Sequence, residues 1–146
     1  MAVFHFYHPI QVRYGDLDTQ WHVNNARFLT YMEQARFAYL MELGLFDGES
    51  FLDLGLIVAD AHIAYTKPIR LTDKVRVGVR VSRIGNKSLT FSYQIEEDET
   101  GEVCATGETV LVAYDFHTQS SHPVPDAWRE RISTYEGDPQ LQAAAT

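Results

Sequence analysis

A long, mostly apolar segment is the feature that most restricts how this chain can fold. Twelve of the 18 residues from Ala26 to Leu43 are hydrophobic, and the six polar ones are scattered around the axis of the helix that the segment predicts. Asn24 or Asn25 supplies an N-cap and Gly44 a C-cap, which places the helix at about residues 24–43. Such a helix is expected to be buried on nearly all sides, so other parts of the chain must cover it.

Several segments alternate apolar and polar residues with the two-residue period of strands. Lys74–Ser82 and Leu89–Glu96 alternate throughout, and Gly85-Asn86 between them predicts a hairpin turn. A first strand is expected at about residues 5–14, where Pro9 indicates an edge or a bulge. Further strands are predicted at about residues 56–66, 73–84, 87–97 and 102–116. One long helix with about five antiparallel strands is an α+β fold.

Length, hydrophobic content and cysteine usage are typical of one cytoplasmic domain. With 146 residues, 45% of them hydrophobic, residues 1–146 are expected to form a single domain with one core and a frayed tail at 135–146. Cys104 is the single cysteine, so it cannot form an internal disulfide, and no Cys/His spacing predicts a metal site. The chain shows no secretion leader and no run of roughly 20 apolar residues, so we expect no membrane span and a cytoplasmic location.

The charge of the chain is unevenly distributed. A net charge of -8 argues against nucleic acid as a partner, yet residues 67–87 carry net +6 and the remainder carries -14. This basic stretch would attract a small polyanion such as a phosphate-bearing nucleotide; alternatively, it is a strand face kept soluble by its charges. Its basic residues are Lys67, Arg70, Lys74, Arg76, Arg80, Arg83 and Lys87.

The residues best suited to catalysis are concentrated just before the predicted helix. Asp16 and Asp18 lie in a turn, and His22 follows four residues after Asp18. The first turn of a helix offers free amides and the positive end of the helix dipole. A carboxylate beside such an end suits hydrolysis of an activated acyl group, because one group attacks or activates water while the other stabilises the developing negative charge. Ordinary turn and capping roles for these residues are the alternative.

The order of residues from Tyr14 to Phe28 resembles a family signature. It is similar to the Y-x-D-x-D-x-x-x-H-V-N-N-x-x-Y motif of 4-hydroxybenzoyl-CoA thioesterase-like proteins, with Phe28 in place of the last Tyr. Three further segments also resemble that family: Tyr65–Asp73, Ile84–Phe91 and the closing helix Pro123–Ile132. The resemblance implies a hotdog fold, in which an antiparallel sheet wraps one central helix.

The resemblance also implies a mechanism and a substrate. It places the catalytic carboxylate at Asp18, as nucleophile or as general base, and the carbonyl-polarising backbone amide at Asn25. His22 would orient the thioester or water, or would only hydrogen-bond within the loop. Asp16 is expected to hold the turn. The implied substrate is an acyl thioester of coenzyme A or of an acyl carrier, with no cofactor, and the implied assembly is a homodimer or homotetramer.

Three residues are predicted to contact the carrier. Lys87 and Ser88 open a strand where family members contact the pantetheine or the phosphates, and Lys67 lies in the basic stretch. All three are also compatible with solvated turn positions.

Two other functions on the same fold stay open. One is hydration or dehydration of an acyl thioester, in which a histidine and a carboxylate share acid–base work. The other is a non-catalytic acyl-CoA-binding module. The acyl group itself is not defined by the sequence, since aromatic and flexible helix residues suit aliphatic and aryl groups alike.

Overall fold

The alternating segments form one antiparallel sheet in the computed structural model, which describes residues 3–142. Its strands are β1 (Phe6–Gln11), β2 (Leu56–Tyr65), β3 (Lys74–Ile84), β4 (Ser88–Glu97), β5 (Val103–Asp115) and the short β6 (Ser120–Ser121). Their order is β1-β3-β4-β5-β2, and β6 pairs with β5. β1 and β2 are therefore the sheet edges, and Pro9 lies on an edge as predicted.

The long helix α1 (Asn25–Glu42) packs against one face of the sheet, on β1, β3 and β4. Sheet and central helix together form the hotdog arrangement, which confirms the expected fold. Burial on nearly all sides, however, is wrong for the single chain. Because α1 lies on one sheet face, no element of residues 3–142 covers its outer side, and Leu29 and Met41 are 41% and 50% exposed. The buried residues of α1 are Phe28, Tyr31, Met32, Ala35, Arg36, Tyr39 and Leu40.

A glycine in β5 leaves room for a side chain of the helix. A Cβ at Gly107 would lie 2.7 Å from the Sδ and Cε of Met32, so a larger residue here would force the end of the Met32 side chain to move. Cys104, also on β5, is buried in the core, and burial raises the pKa of its thiol to about 11.

The C-terminal segment is anchored, which corrects the expectation of a frayed tail from residue 135. The closing helix α3 spans Asp126–Glu136, and a 3-10 turn follows at Pro139–Gln142. Tyr39 donates a hydrogen bond to Glu136 (2.5 Å), and Leu141 is buried in the core. The sequence did not predict this anchor, because the residues next to Leu141 are polar. The rest of the predicted tail, residues 143–146, lies outside the described residues.

Two short elements occupy segments that were expected to be strand or loop. Arg13 ends the extended segment after β1 and a 3-10 turn follows at Tyr14–Asp16, so the first strand stops earlier than predicted. A one-turn helix, α2 (Phe51–Leu54), precedes β2. Within residues 3–142, no helix has the length and apolarity needed to cross a bilayer.

The edge strand β2 is unusually exposed. Among the described residues it pairs with β5 alone, and eight of its ten residues are exposed. Among them are the apolar residues Ile57 (42% exposed) and Val58 (47%), while Asp60 is the one formally charged residue of the strand. A long, apolar, open edge of this kind is a template for pairing with another strand.

Candidate active site

The loop before α1 folds back on itself and places Asp18 near the start of the helix. Asp18 N–H donates to the His22 carbonyl (2.9 Å), Trp21 N–H donates to the Asp18 carbonyl (3.1 Å), and Leu17 forms an isolated bridge with Val23. Trp21 has φ +64°, a left-handed conformation that bulky residues rarely adopt. The loop is thus held tightly at both ends of a strained turn.

Asp16 is the residue that holds this loop, as predicted. Its carboxylate accepts hydrogen bonds from the Tyr31 hydroxyl (2.7 Å) and from Arg13 N–H (3.0 Å). Burial and the neighbouring Asp16 carboxylate raise the pKa of Tyr31, so its hydroxyl stays protonated as a donor. With two bonds to fixed groups, Asp16 ties the loop to α1.

One backbone amide is left free at the start of α1. The side chain of Asn24 caps the helix by accepting from Ala26 N–H (2.9 Å), and Arg27 N–H donates to the Asn24 carbonyl (2.9 Å). None of the described residues accepts the N–H of Asn25. This donor, together with the positive end of the helix dipole, is available to a negatively charged oxygen.

A cleft of about 300 Å³ brings most of the predicted site together. Asp18 Oδ1 accepts from Gln20 N–H (2.9 Å), while none of the described residues donates to Oδ2. Asp18 and Asn25 therefore line one cleft. A carboxylate and a free backbone amide in such an arrangement can attack, or activate water at, a carbonyl whose oxygen is stabilised by the amide. The cleft is lined by Asp18, Gln20, His22, Val23, Asn25, Phe28, Tyr65, Thr66, Lys67 and Pro68.

Tyr65 is the main lining residue that the sequence reasoning missed as a site residue. Its hydroxyl donates to the Asn25 carbonyl (3.0 Å), and its ring lies edge-on to Phe28 with centroids 4.9 Å apart. Tyr65 is the first residue of the Tyr65–Asp73 segment that resembles the family, so the sequence did contain an indication of its role. Its position above the helix start became visible only with the β2 register, which pairs Tyr65 with Ala105.

Lys67 lines the cleft, but its charge is already paired. Its Nζ lies 2.5 Å from Glu97 and 3.0 Å from Glu102, and these hydrogen bonds raise the pKa of Lys67. Arg76, another member of the basic stretch, pairs with Glu96 at 3.0 Å. The positive field that the sequence predicted is therefore partly cancelled by acidic residues of β4 and the β4–β5 turn.

Lys87 and Ser88 lie at the opposite end of the sheet. Ser88 pairs with Val112 on β5, and Lys87 Nζ donates to Ser121 Oγ (3.3 Å). The cleft, by contrast, meets β5 at Cys104, whose carbonyl accepts the N–H of Lys67. Eight residues along β5 separate the two places, about 26 Å at about 3.3 Å per residue. Of the three predicted carrier contacts, a single chain therefore brings Lys67 to the Asp18 cleft but not Lys87 or Ser88.

A second cleft, also about 300 Å³, lies at that opposite end. It is lined by α2, the start of β2, the end of β5 and the segment leading into α3, and it contains Asp53 and His117. His117 Nε2 lies 3.3 Å from Asp53 Oδ1, and both side chains are about 70% exposed. Among the described residues, no group of three or more His, Cys, Asp or Glu side chains is placed to hold a metal ion.

Comparison with known proteins identifies the family of this chain. The model of the thioesterase-like superfamily matches residues 12–132. The long-chain acyl-CoA thioesterase FadM of Escherichia coli is 29% identical over 123 residues, which cover 84% of this chain and 93% of FadM. The acyl-CoA thioesterase YbgC of Haemophilus influenzae is 30% identical over 93 residues, which cover 62% of this chain and 68% of YbgC.

A solved structure is similar over almost the whole chain. A thioesterase of Thermus thermophilus, crystallised with coenzyme A and Zn, superposes with a TM-score of 0.82 at 38% identity and covers 95% of this chain and 100% of its own. The family match includes the loop with Asp16 and Asp18, the helix α1 and the whole of β2 to β5. The chain is thus a member of the thioesterase-like superfamily.

Proposed function

We propose that this protein hydrolyses acyl-CoA thioesters to a free acid and coenzyme A. The observation that carries the proposal is the shared cleft of Asp18 and the unoccupied Asn25 amide. Both FadM and YbgC are named acyl-CoA thioesterases, and the similar structure from Thermus thermophilus binds coenzyme A, which supports the choice of carrier.

Asp18 acts in one of two ways. As a nucleophile, its carboxylate oxygen attacks the thioester carbonyl, the thiolate leaves, and water hydrolyses the mixed anhydride. As a general base, it removes a proton from the water that attacks the carbonyl. In both cases negative charge develops on the carbonyl oxygen, where the Asn25 N–H donates to it. His22 lines the same cleft and is proposed to orient the thioester or the water. Water is the only co-reactant, so we propose no cofactor and no metal.

We further propose that the active unit is a homodimer built on β2. An antiparallel pairing of two β2 strands across a two-fold axis closes the open edge and places the Leu56 end of one strand beside the Tyr65 end of the other. A homotetramer would contain two such dimers. The exposed outer side of α1, which includes Leu29, would also gain a covering layer.

This dimer would bring the separated groups together. Crossing from β2 of one chain to β4 of the second passes β2 and β5 of the second chain, three strand spacings or about 14 Å. The second chain's Lys87 and Ser88 would then lie within reach of a coenzyme A molecule whose thioester lies at Asp18. Lys67, paired with Glu97 and Glu102, would border the same carrier. We place the protein in the cytoplasm, where its single, buried thiol stays reduced.

A thiol-release screen over acyl-CoA and aryl-CoA thioesters, run with the wild type and with Asp18→Asn, tests the proposal. Hydrolysis by the wild type and its loss in the folded variant are expected. Formation of an enoyl product without thiol release would instead indicate a hydratase or dehydratase. Tight acyl-CoA binding without turnover would indicate a binding module.

A further inference from the structure

Helix α1 carries a buried arginine whose donors are mostly unused. Arg36 is 4% exposed, and its Nη1 donates to the Tyr93 hydroxyl (3.1 Å). Its Nε is buried, and no described residue accepts from it. A guanidinium has five N–H donors, and a buried donor left without a partner is destabilising. The guanidinium can therefore donate hydrogen bonds to a further acceptor.

The charge of Arg36 is also poorly balanced. Its nearest carboxylate is Glu33, 3.7 Å from Nη2, with a side chain that is 56% exposed. The two residues form no direct hydrogen bond among those of the described chain. A half-solvated carboxylate at this distance gives only a weak surface ion pair. The charge of the buried guanidinium is thus only partly balanced within the described residues.

A groove of about 200 Å³ leads to this guanidinium between α1 and β2. The buried residues Met32, Arg36 and Thr109 form its floor, and exposed residues form its rim: Leu29, Thr30, Glu33, Val58 and Ala61. Thr109 Oγ1 shares a hydrogen bond with the Tyr93 hydroxyl (2.7 Å). An apolar groove therefore ends in a polar cluster of Arg36, Tyr93 and Thr109.

The groove and the active-site cleft lie between the same two elements. Both are bounded by α1 and β2: the cleft at Phe28 and Tyr65, the groove one turn further at Met32 and four residues further at Ala61. Four strand residues span about 13 Å. Since one residue of extended chain contributes three bonds and about 3.5 Å, that distance corresponds to about 11 bonds of an extended acyl chain.

We infer that Arg36 selects acyl groups that end in a carboxylate, with about ten carbons in all from the thioester carbonyl to the terminal carboxylate. The thioester would lie at Asp18, the methylene chain along Met32 and Val58, and the terminal carboxylate on the guanidinium, which suits bidentate carboxylate binding. This inference rests on the proposed thioesterase function and specifies its substrate class as mono-CoA thioesters of medium-chain dicarboxylic acids.

Matched pairs of substrates test the inference. We expect the wild type to hydrolyse decanedioyl-CoA with a kcat/KM at least about tenfold above that of decanoyl-CoA, the scale of a charge-assisted hydrogen bond. Succinyl-CoA should show no such advantage over butanoyl-CoA, because its carboxylate is too close to the thioester to reach Arg36. A wild type that prefers decanoyl-CoA, or that prefers carboxylates at every chain length, overturns the inference.

Variants separate charge recognition from packing. Arg36→Met keeps the apolar stem and should lower the decanedioyl/decanoyl ratio to about one or below, whereas Arg36→Lys should retain part of it. Arg83→Met, which removes the same charge from an exposed position on β3, is the control and should leave the ratio unchanged. If Arg36→Met leaves the ratio intact but weakens self-association, the guanidinium binds a carboxylate of a second copy and the inference is wrong.

Binding distinguishes failure of this inference from failure of the proposed function. Asp18→Asn should bind decanedioyl-CoA at least about tenfold more tightly than decanoyl-CoA by isothermal titration calorimetry, whether or not any thioester is turned over. Hydrolysis of decanoyl-CoA with no carboxylate preference in either assay would refute the role of Arg36 alone. Preferential binding without hydrolysis by the wild type would refute the thioesterase function alone.

Discussion

An aspartate and a histidine lie near each end of β2, but the backbone around the two pairs differs. At the Tyr65 end, Asp18 and His22 share a cleft with the first turn of α1, where the Asn25 amide is free. At the Leu56 end, Asp53 and His117 lie 3.3 Å apart in a cleft of similar volume. The better-formed Asp–His contact is therefore at the end for which we propose no chemistry.

The helix explains the difference. The Asp18 cleft faces the N-terminus of α1, where dipole and amide stabilise an oxyanion. The other cleft includes Leu45, just past the C-terminus of α1, where carbonyls face outward and Arg131 Nε donates to the Leu43 carbonyl (2.9 Å). A developing negative charge would be destabilised there. An aspartate and a histidine thus become a candidate hydrolytic site only beside a free helix N-terminus.

The largest effect expected from this comparison is at Asp18. Asp18→Asn should lower kcat for acyl-CoA hydrolysis by at least about a hundredfold, since a nucleophile or general base is lost while the loop retains its backbone hydrogen bonds. The identical change at the other end, Asp53→Asn, should leave kcat within about twofold, because Asp53 and His117 are exposed. Steady-state thiol release measures both, with thermal melting as a check on folding. Equal losses of kcat in Asp18→Asn and Asp53→Asn would show that the N-terminus of α1 is not what distinguishes the two sites.

Local features of the fold and of the site could be predicted from the sequence, whereas features that depend on strand register could not. Alternation predicted the long strands, and Asn24 and Gly44 predicted both ends of α1, because these signals are local. Asp18, His22 and Asn25 share one short segment, so their proximity in the structure was predictable as well. The pairing of Lys67 with Glu97 and Glu102 depends on strand register, as does the distance of Lys87 from the cleft, so the sequence could not reveal either.

A second effect concerns the two edges of the sheet. Ile57→Lys on β2 should weaken self-association by at least about tenfold and lower activity at dilute protein concentrations, because charged edge residues oppose strand pairing. Gln11→Lys on β1, the other edge, should leave both unchanged. Sedimentation velocity at micromolar concentration measures the effect. A wild type that sediments as a monomer would contradict the proposed assembly outright.

A smaller effect should separate two lysines of the basic stretch. Lys87→Glu should raise KM for acyl-CoA by up to about tenfold and flatten its salt dependence, while kcat changes little, because phosphate contacts hold substrate and transition state alike. Lys67→Met should change KM less, within about threefold, since Glu97 and Glu102 already pair that charge. An acyl-pantetheine substrate should not respond to Lys87→Glu. Steady-state kinetics at several ionic strengths measure these changes, and a larger KM effect at Lys67 would reverse the assignment.

The central claim is that Asp18 of one chain and Lys87 of a second chain serve the same substrate. Co-expression of Asp18→Asn and Lys87→Glu chains with different affinity tags allows isolation of the heterodimer. One of its two sites contains both wild-type residues and the other contains neither, so we predict a wild-type KM for acyl-CoA with about half the wild-type kcat per dimer. Turnover with only the high KM of the Lys87→Glu homodimer would contradict a site shared between two chains.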